Sequence, residues 1–303
     1  MIVLNIEREL VRVETWDDIV SRPGFTANLD PQSHALHAII GRYNFADKIR
    51  CGLSNCHTPH AKGYIVVTKG GLETNIGKDC GRNYFGVDFE SMSRRFDQDM
   101  ADKEGRERLW SFHFRTEEIK QKVQTLRSTE RGADWVHRRV KGLVEAGHDV
   151  PAPIVRYIAG KVKARDPVVT LEREATATEI DRMEAESGRR LPRPQYIAEP
   201  IATIDGFDAL YPENDLRAML VLDVEEHIRL FEVVSIDNLD SAGIRQWSRW
   251  VSTVDATLEK ADAVVQAGRR LLTSQNLQHF ENRLTEKDDR RHFSRFLKSL
   301  DAA

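Results

Sequence analysis

At 303 residues, with 40% hydrophobic and 31% charged side chains, the chain is long enough for one large domain or two ordinary ones around a real core, and its charge exceeds the usual share of about a quarter. The net charge of −3 argues against a polyanion binder that works by bulk electrostatics. Three cysteines, an odd number confined to residues 51–80, argue against a secreted disulfide framework and for a reducing, cytoplasmic setting. No run of about 18 apolar residues is present to span a membrane, and MIVLNIERELVRV meets charge too early for a signal peptide.

Residues 2–6 alternate and read as a short strand. Thr15 reads as the cap of a helix, with Asp17 and Asp18 at its positive end, and Arg22-Pro23-Gly24 as the turn that ends it. Asp30-Pro31 repeats the start signal, and the spacing of Leu36, Ile39, Ile40 and Tyr43 predicts a second amphipathic helix. His34 and His37 would share that helix, an arrangement that is ordinarily half-exposed surface.

Gly63–Thr68 is rich in β-branched and aromatic residues and reads as a strand. Lys69-Gly70-Gly71 reads as a tight turn, and residues 72–76 as the returning strand. Cys80 then falls at or just before a helix start, with the helix itself expected from Arg82 or, past Gly86, from Asp88. From Ser91 to Val144 the pattern is helical and charged, with Phe96, Met100, Leu109, Phe112, Ile119, Val123, Leu126, Trp135, Val136, Val140 and Leu143 marking buried faces. Gly105, Gly132 and Gly147 punctuate it, and 154–164 reads as a further helix.

Thr178 is expected to cap the next helix, which Ser187-Gly188 closes. Residues 188–214 hold Pro192, Pro194, Pro200 and Pro212 and read as an ordered connector and a domain boundary. Residues 215–226 favour a helix, and 228–234 leave a strand open. Ser241 opens a long helix with apolar residues at sustained 3–4 spacing, suited to an α-hairpin or coiled-coil partner, which Gly268 ends or bends. Leu277 to Leu300 give the last helix or pair of helices. The expected class is α+β, mainly α. A small zinc-stabilised β-hairpin module spans 1–90, a charged helical region 91–190, a proline-rich connector 191–214 and a C-terminal helical region 215–303.

The chemistry concentrates between Cys51 and Gly86. Zinc takes four soft or borderline donors at about 2.0–2.3 Å in a tetrahedron. Cys51 and Cys56 stand five apart, His57 and His60 follow at once, and Cys80 returns after the hairpin. The competing reading is three small buried thiols beside surface histidines. Clustering of every cysteine next to two histidines and a hairpin favours metal. The order of loop ligands, hairpin and ligand at a helix start resembles the treble-clef and zinc-ribbon zinc modules. The resemblance covers residues 48–86 only and implies one structural Zn(2+). Those modules carry a second C-x-x-C, and here position 83 is Asn83, so the fourth ligand is expected from the histidine pair. His60 is the choice, since Pro59 fixes the backbone before it and the gap from Cys56 leaves room to turn, with His57 the alternative.

No C-x-x-C supports redox chemistry, and no H-E-x-x-H or H-x-E paired with P-C-x-x-C supports a zinc hydrolase or deaminase. The first functional expectation is a non-enzymatic zinc-stabilised protein that binds DNA or RNA. Lys48, Arg50, Lys62, Lys69, Lys78 and Arg82 edge the knot with Tyr64, Tyr84 and Phe85 beside them. Residues 127–165, with nine basic and four acidic side chains, would extend that surface through Arg138, Arg139 and Lys141. The ordinary reading of both is a solvated face. The second expectation is a scaffold that self-associates or takes a protein partner through the acidic 205–240 segment and the C-terminal helices. The third is an enzyme with an unfamiliar active site, for which Glu225-Glu226-His227 and the Asp/Glu-rich connector are the candidates.

Overall fold

The computed structural model describes residues 2–6, 9–145 and 150–302, so the expected break at Gly147 lies outside the described residues. Helix accounts for 59% and strand for 19%, with the main sheet near the N-terminus and long helices after it, which is the α+β, mainly α class. The chain forms two compact units, Met1–Phe112 with Ser235–Arg249, and His113–Val234 with Trp250–Ala303.

The first unit is built on five antiparallel strands in the order β2-β1-β3-β4-β5. These are β1 (Ile2–Ile6), β2 (Glu9–Val13), β3 (Leu36–Arg50), β4 (Pro59–Thr68) and β5 (Glu73–Gly77), with helix α1 (Trp16–Val20) after β2 and helix α2 (Lys78–His113) after β5. Alternation along a strand sends neighbours to opposite faces, and here both faces are covered. Val3, Ile39, Tyr64 and Val66 pack with Phe89, Phe96 and Met100 of α2. Ile2, Leu4 and Ile65 pack on the other face with Ile19 and Trp16 of α1. Thr15 caps α1 as expected, in a full capping box with Asp18.

Residues 36–43 are the clearest departure from expectation. They form strand, not helix, and His34 and His37 share no helix face. Register shifts between Leu36 and Ala38 and between Ile39 and Gly41 break the two-residue period and leave buried positions three apart. Helix α2 begins at Lys78, four residues before the expected Arg82, and is interrupted at Gly86 (φ 60°, ψ −138°), a conformation that favours glycine. Gly105 lies inside α2 without breaking it. Its missing side chain admits Ile244, whose Cγ2 is 2.3 Å from where a Cβ would stand.

The segment between α1 and β3 straps the β5 edge. Thr26 N–H donates to Glu73 O and Glu73 N–H to Gly24 O, both at 2.8 Å. The Arg22 guanidinium grips the nearly buried Glu73 carboxylate through two nitrogens at 2.7 and 2.9 Å. Arg22→Met is therefore expected to destabilise the protein by about 2 kcal/mol, because it strands a carboxylate without its partner. The double variant with Glu73→Gln should recover most of that loss in urea denaturation.

The second unit holds α3 (Thr116–Ser128), α4 (Ala133–Val144), α5 (Ala152–Ala164), strand β6 (Val168–Glu174), α6 (Ala177–Ser187), strand β7 (Tyr196–Thr203) and α7 (Glu226–Glu232). It also takes the larger part of α8 (Ser241–Leu271), with α9 (Ser274–Leu277) and α10 (Lys287–Asp301). Residues 191–214 do not link units but lie within this one, where β7 pairs antiparallel with β6. Pro200 is tolerated because it meets Thr170 at a register shift, where the ladder already lacks regular pairing. The cap of α6 is Thr176 rather than Thr178: although Thr178 has Asp181 three residues on, it is Thr176 and Glu179 that form the reciprocal capping box. Residues 218–225 form a π-helix that runs into α7, so 228–234 hold no strand. Helix α8 passes through Gly268, where a Cβ would lie 2.2 Å from Val136 Cγ1.

Candidate metal centre

Strand β3 delivers Cys51, and a tight loop then carries the chain to β4. Cys51 N–H donates to Thr58 O at 3.1 Å, closing the loop across its mouth. Gly52 N–H donates to Asn75 O and Gly52 O accepts from Leu29 N–H, each at 2.8 Å. Leu53, fully buried, anchors the loop to the core. Cys80 lies in the first turn of α2.

The three sulfurs lie within 4.8 Å of one another, and Cys56 Sγ is 3.3 Å from Cys80 Sγ. All three are free thiols, and 3.3 Å is far beyond a disulfide bond of about 2.05 Å. An ion about 2.3 Å from each sulfur in a tetrahedron would set them about 3.8 Å apart, which fits within the 4.8 Å that contains the group. The group can hold a metal ion.

Burial raises the Cys51 pKa, and burial together with its contact to Cys56 pushes Cys80 up to about 12. At Cys56 burial works in the same direction, but hydrogen bonds with Thr58, Cys80 and Cys51 together outweigh it and the net shift is downward. Thr58 Oγ1 is 3.3 Å from that sulfur. Cys56 is half-buried between exposed Asn55 and His57, so solvent reaches the cluster on its side.

The sulfur group includes neither His60 nor His57. His60 lies on β4, its ring stacked on Tyr43 and its Nδ1 2.9 Å from the Tyr43 hydroxyl. Its Nε2 is buried without a hydrogen-bond partner, and burial lowers its pKa. His57 is exposed, adopts a left-handed backbone (φ 52°) and places Nδ1 3.3 Å from Cys51 O. Asn83 is exposed.

The residues singled out for nucleic acid scatter more than their sequence positions imply. Lys62 and Lys78 line one hollow beside Arg42 and Tyr64. Lys69 lies at the far end of β4, in the hairpin turn, roughly 23 Å along the strand from Lys62. Arg82 is held by Glu90 at 2.8 Å, and the Tyr84 hydroxyl donates to Asn55 O at 3.1 Å. Arg138, Arg139 and Lys141 belong to the second unit. There Arg139 lies over the Phe296 ring, and Lys141 meets Glu145 at 3.5 Å. The Glu225-Glu226-His227 trio does not converge on a site, since Arg127 holds Glu225 and the His227 ring stacks on Trp250.

Sequence reasoning missed the supports of the site. Thr58, two residues past a cysteine, carries a readable signal as a short hydroxyl donor. Thr74 and Asn75, which brace the loop from β5, carry none, because their role depends on a strand pairing with a loop.

The fold and site together define a mainly helical α+β protein whose N-terminal unit carries a cluster of three thiols, able to hold a metal ion, where a loop, a β-hairpin and a helix start meet. No known protein family matches the chain, and neither do any curated proteins or solved structures. No described helix is long and apolar enough to cross a membrane.

Proposed function

We propose that the first unit is a zinc-stabilised binding module that takes single-stranded nucleic acid on a cationic edge beside its metal. The observation that carries this reading is a convergent thiol cluster next to exposed cations that pair with no carboxylate among the described residues. Thiolate donors at a flexible loop and a helix start suit zinc, which binds sulfur readily and has no geometric demand beyond a tetrahedron. Loop ligands, hairpin and helix ligand follow one another in the order of a treble-clef-like module.

His60 is the fourth ligand in this reading; its ring nitrogens lie outside the group of three sulfurs within 4.8 Å of one another, so the imidazole has to move toward them when metal binds. Its Nε2 is buried and unpartnered, and its ring lies against Gly77, where a Cβ would come within 2.7 Å of the imidazole. The Tyr43 hydroxyl at Nδ1 orients the ring in the manner of an outer-shell partner, and burial keeps the imidazole in its neutral, ligating form. His60→Ala should lower bound zinc well below one per chain and alter the visible spectrum of the cobalt-substituted protein. If His57→Ala does this instead, His57 is the ligand.

Lys48, Arg50, Lys62 and Lys78 are exposed at one end of β3, β4 and β5 and pair with no carboxylate among the described residues. Such a cluster releases counterions when it meets a phosphate backbone. The full chain should be retained on immobilised single-stranded RNA or DNA at low salt and released as salt rises. Lys62→Ala/Lys78→Ala should reduce the slope of log K against log salt by about 1.4, at about 0.7 per phosphate contact. No retention at low salt, or an unchanged slope in the double variant, would remove the nucleic-acid part of the reading.

A further inference from the structure

The second unit carries a groove that the metal centre and its cationic edge do not touch. It lies among α4, α5, the turns at 209–214 and the π-helix at 218–225, and encloses ≈ 760 Å³. Sites for small organic ligands run from about 300 to 1,000 Å³. Val140, Val162 and Leu210 give it an apolar floor, and Lys163 and Arg217 stand on its rim.

The charges around the groove are not balanced. Glu145 meets Lys141 at 3.5 Å, Glu213 takes the Arg165 guanidinium at 2.5 Å, and Asp215 lies 3.3 Å from His137 Nδ1. Asp215 also accepts the backbone N–H groups of Arg217 and Ala218 at 2.8 and 3.2 Å. Each carboxylate on the lining is thus engaged. Lys163 and Arg217, from two different elements, pair with no carboxylate among the described residues and face the same space.

Two departures from regular backbone also border it. Arg165, which ends α5, is left-handed (φ 52°, ψ 36°) although it is not glycine, and this brings its guanidinium over the Tyr211 ring at 4.6 Å. The opposite wall is the eight-residue π-helix Ala218–Glu225, which contributes Ala218 and Leu222. Such backbone costs stability and collects at ligand sites.

We propose that this groove binds a phosphate monoester with an apolar or flat organic body. The body lies on the Val140, Val162 and Leu210 floor, and the dianionic phosphate meets Lys163 and Arg217. Two cations suit a dianion, and an apolar floor contributes nothing to a bare phosphate. A nucleoside monophosphate and a single-chain lipid phosphate share this chemistry.

The test is calorimetric titration of the full chain with AMP, with monomeric lysophosphatidic acid and with inorganic phosphate, alongside Lys163→Met/Arg217→Met and Val140→Trp variants whose folding is checked by circular dichroism. Binding of AMP or of lysophosphatidic acid, weakened at least tenfold in the double variant and in Val140→Trp, supports the site, and the ester that binds identifies the source. Inorganic phosphate should bind at least tenfold more weakly than the better ester. No binding of either ester at millimolar concentration, equal binding by the double variant, or inorganic phosphate binding as tightly as the esters would overturn the proposal. Lys62→Ala/Lys78→Ala, the pair that tests the cationic edge of the first unit, serves as a control that should leave ester binding unchanged, and it separates this result from any failure of the nucleic-acid reading.

Discussion

Replacing Cys80 by serine is expected to take bound zinc from one per chain to near zero and to lower the stability of the first unit by about 3 to 4 kcal/mol. Free metal at 100 to 1,000 times its dissociation constant stabilises a folded site by roughly that amount. The sulfur is one of the three thiol donors, and a hydroxyl neither replaces the soft thiolate nor finds a ready partner at a position only 8% exposed. A chelator added to the native protein should reproduce the loss in a thermal melt. Elemental analysis of the purified chain gives the stoichiometry. Purified protein that contains no zinc and melts at the same temperature with and without chelator would leave the three thiols as core packing.

The pH dependence offers a second readout because its sign reverses with metal. In the metal-free chain the Cys80 pKa, raised from 9.0 to about 12, makes the folded state hold its proton more tightly than the unfolded one. That contribution is complete below pH 9 and is lost as pH rises toward 12. With metal bound the ligands must be thiolates, so acidification releases the ion and weakens the fold instead. A chain that loses stability on acidification only when zinc is present carries the ion on these sulfurs.

What could be read from the residues followed the strength of local signals. Thr15 with Asp18, the Gly70-Gly71 turn and the left-handed Gly188 each carry short-range chemistry that fixes one backbone shape, and each stands where it was expected. The convergence of Cys51, Cys56 and Cys80 was readable because the hairpin between them sets the return distance. Strand β3 was not, for two reasons. Its register shifts erase the period of two, and apolar side chains line both faces of a sheet covered on both sides, so Ile39 and Ile40 are adjacent yet belong to different packing clusters. The β6–β7 hairpin escaped notice because four prolines within residues 192–212 read as a break, although only Pro200 lies in the ladder. The grouping of basic residues was misleading in a different way. Adjacent Arg138 and Arg139 differ in exposure, and Lys62 and Lys69 occupy opposite ends of one strand. Charge counted along a chain does not report charge on a surface.

Gly52→Ala is expected to destabilise the first unit by about 3 kcal/mol and to cut its zinc content, although it removes no ligand. A Cβ at Gly52 would stand 2.1 Å from Thr74 Oγ1, 2.9 Å from Asn75 Oδ1 and 3.2 Å from Asn75 O. None of these can give way cheaply. Thr74 and Asn75 are almost completely buried, and the Thr74 hydroxyl is committed to Thr26 O at 2.6 Å. Asn75 O accepts the Gly52 amide at 2.8 Å, while Asn75 Nδ2 donates to Arg50 O at 2.8 Å. The clash must therefore move the loop itself, and Cys51 moves with it, away from Cys56 and Cys80. Overpacking of a buried site costs about 1–3 kcal/mol, and the rigid surroundings put this one at the upper end. Gly70→Ala serves as the contrast, since its Cβ would meet only Thr68 Oγ1 at 3.9 Å. Thr74→Ala combined with Gly52→Ala should restore part of the metal content by clearing the nearest atom. Full zinc occupancy and an unshifted melt in Gly52→Ala would show that the loop has slack, and that Cys51 does not depend on β5 for its place.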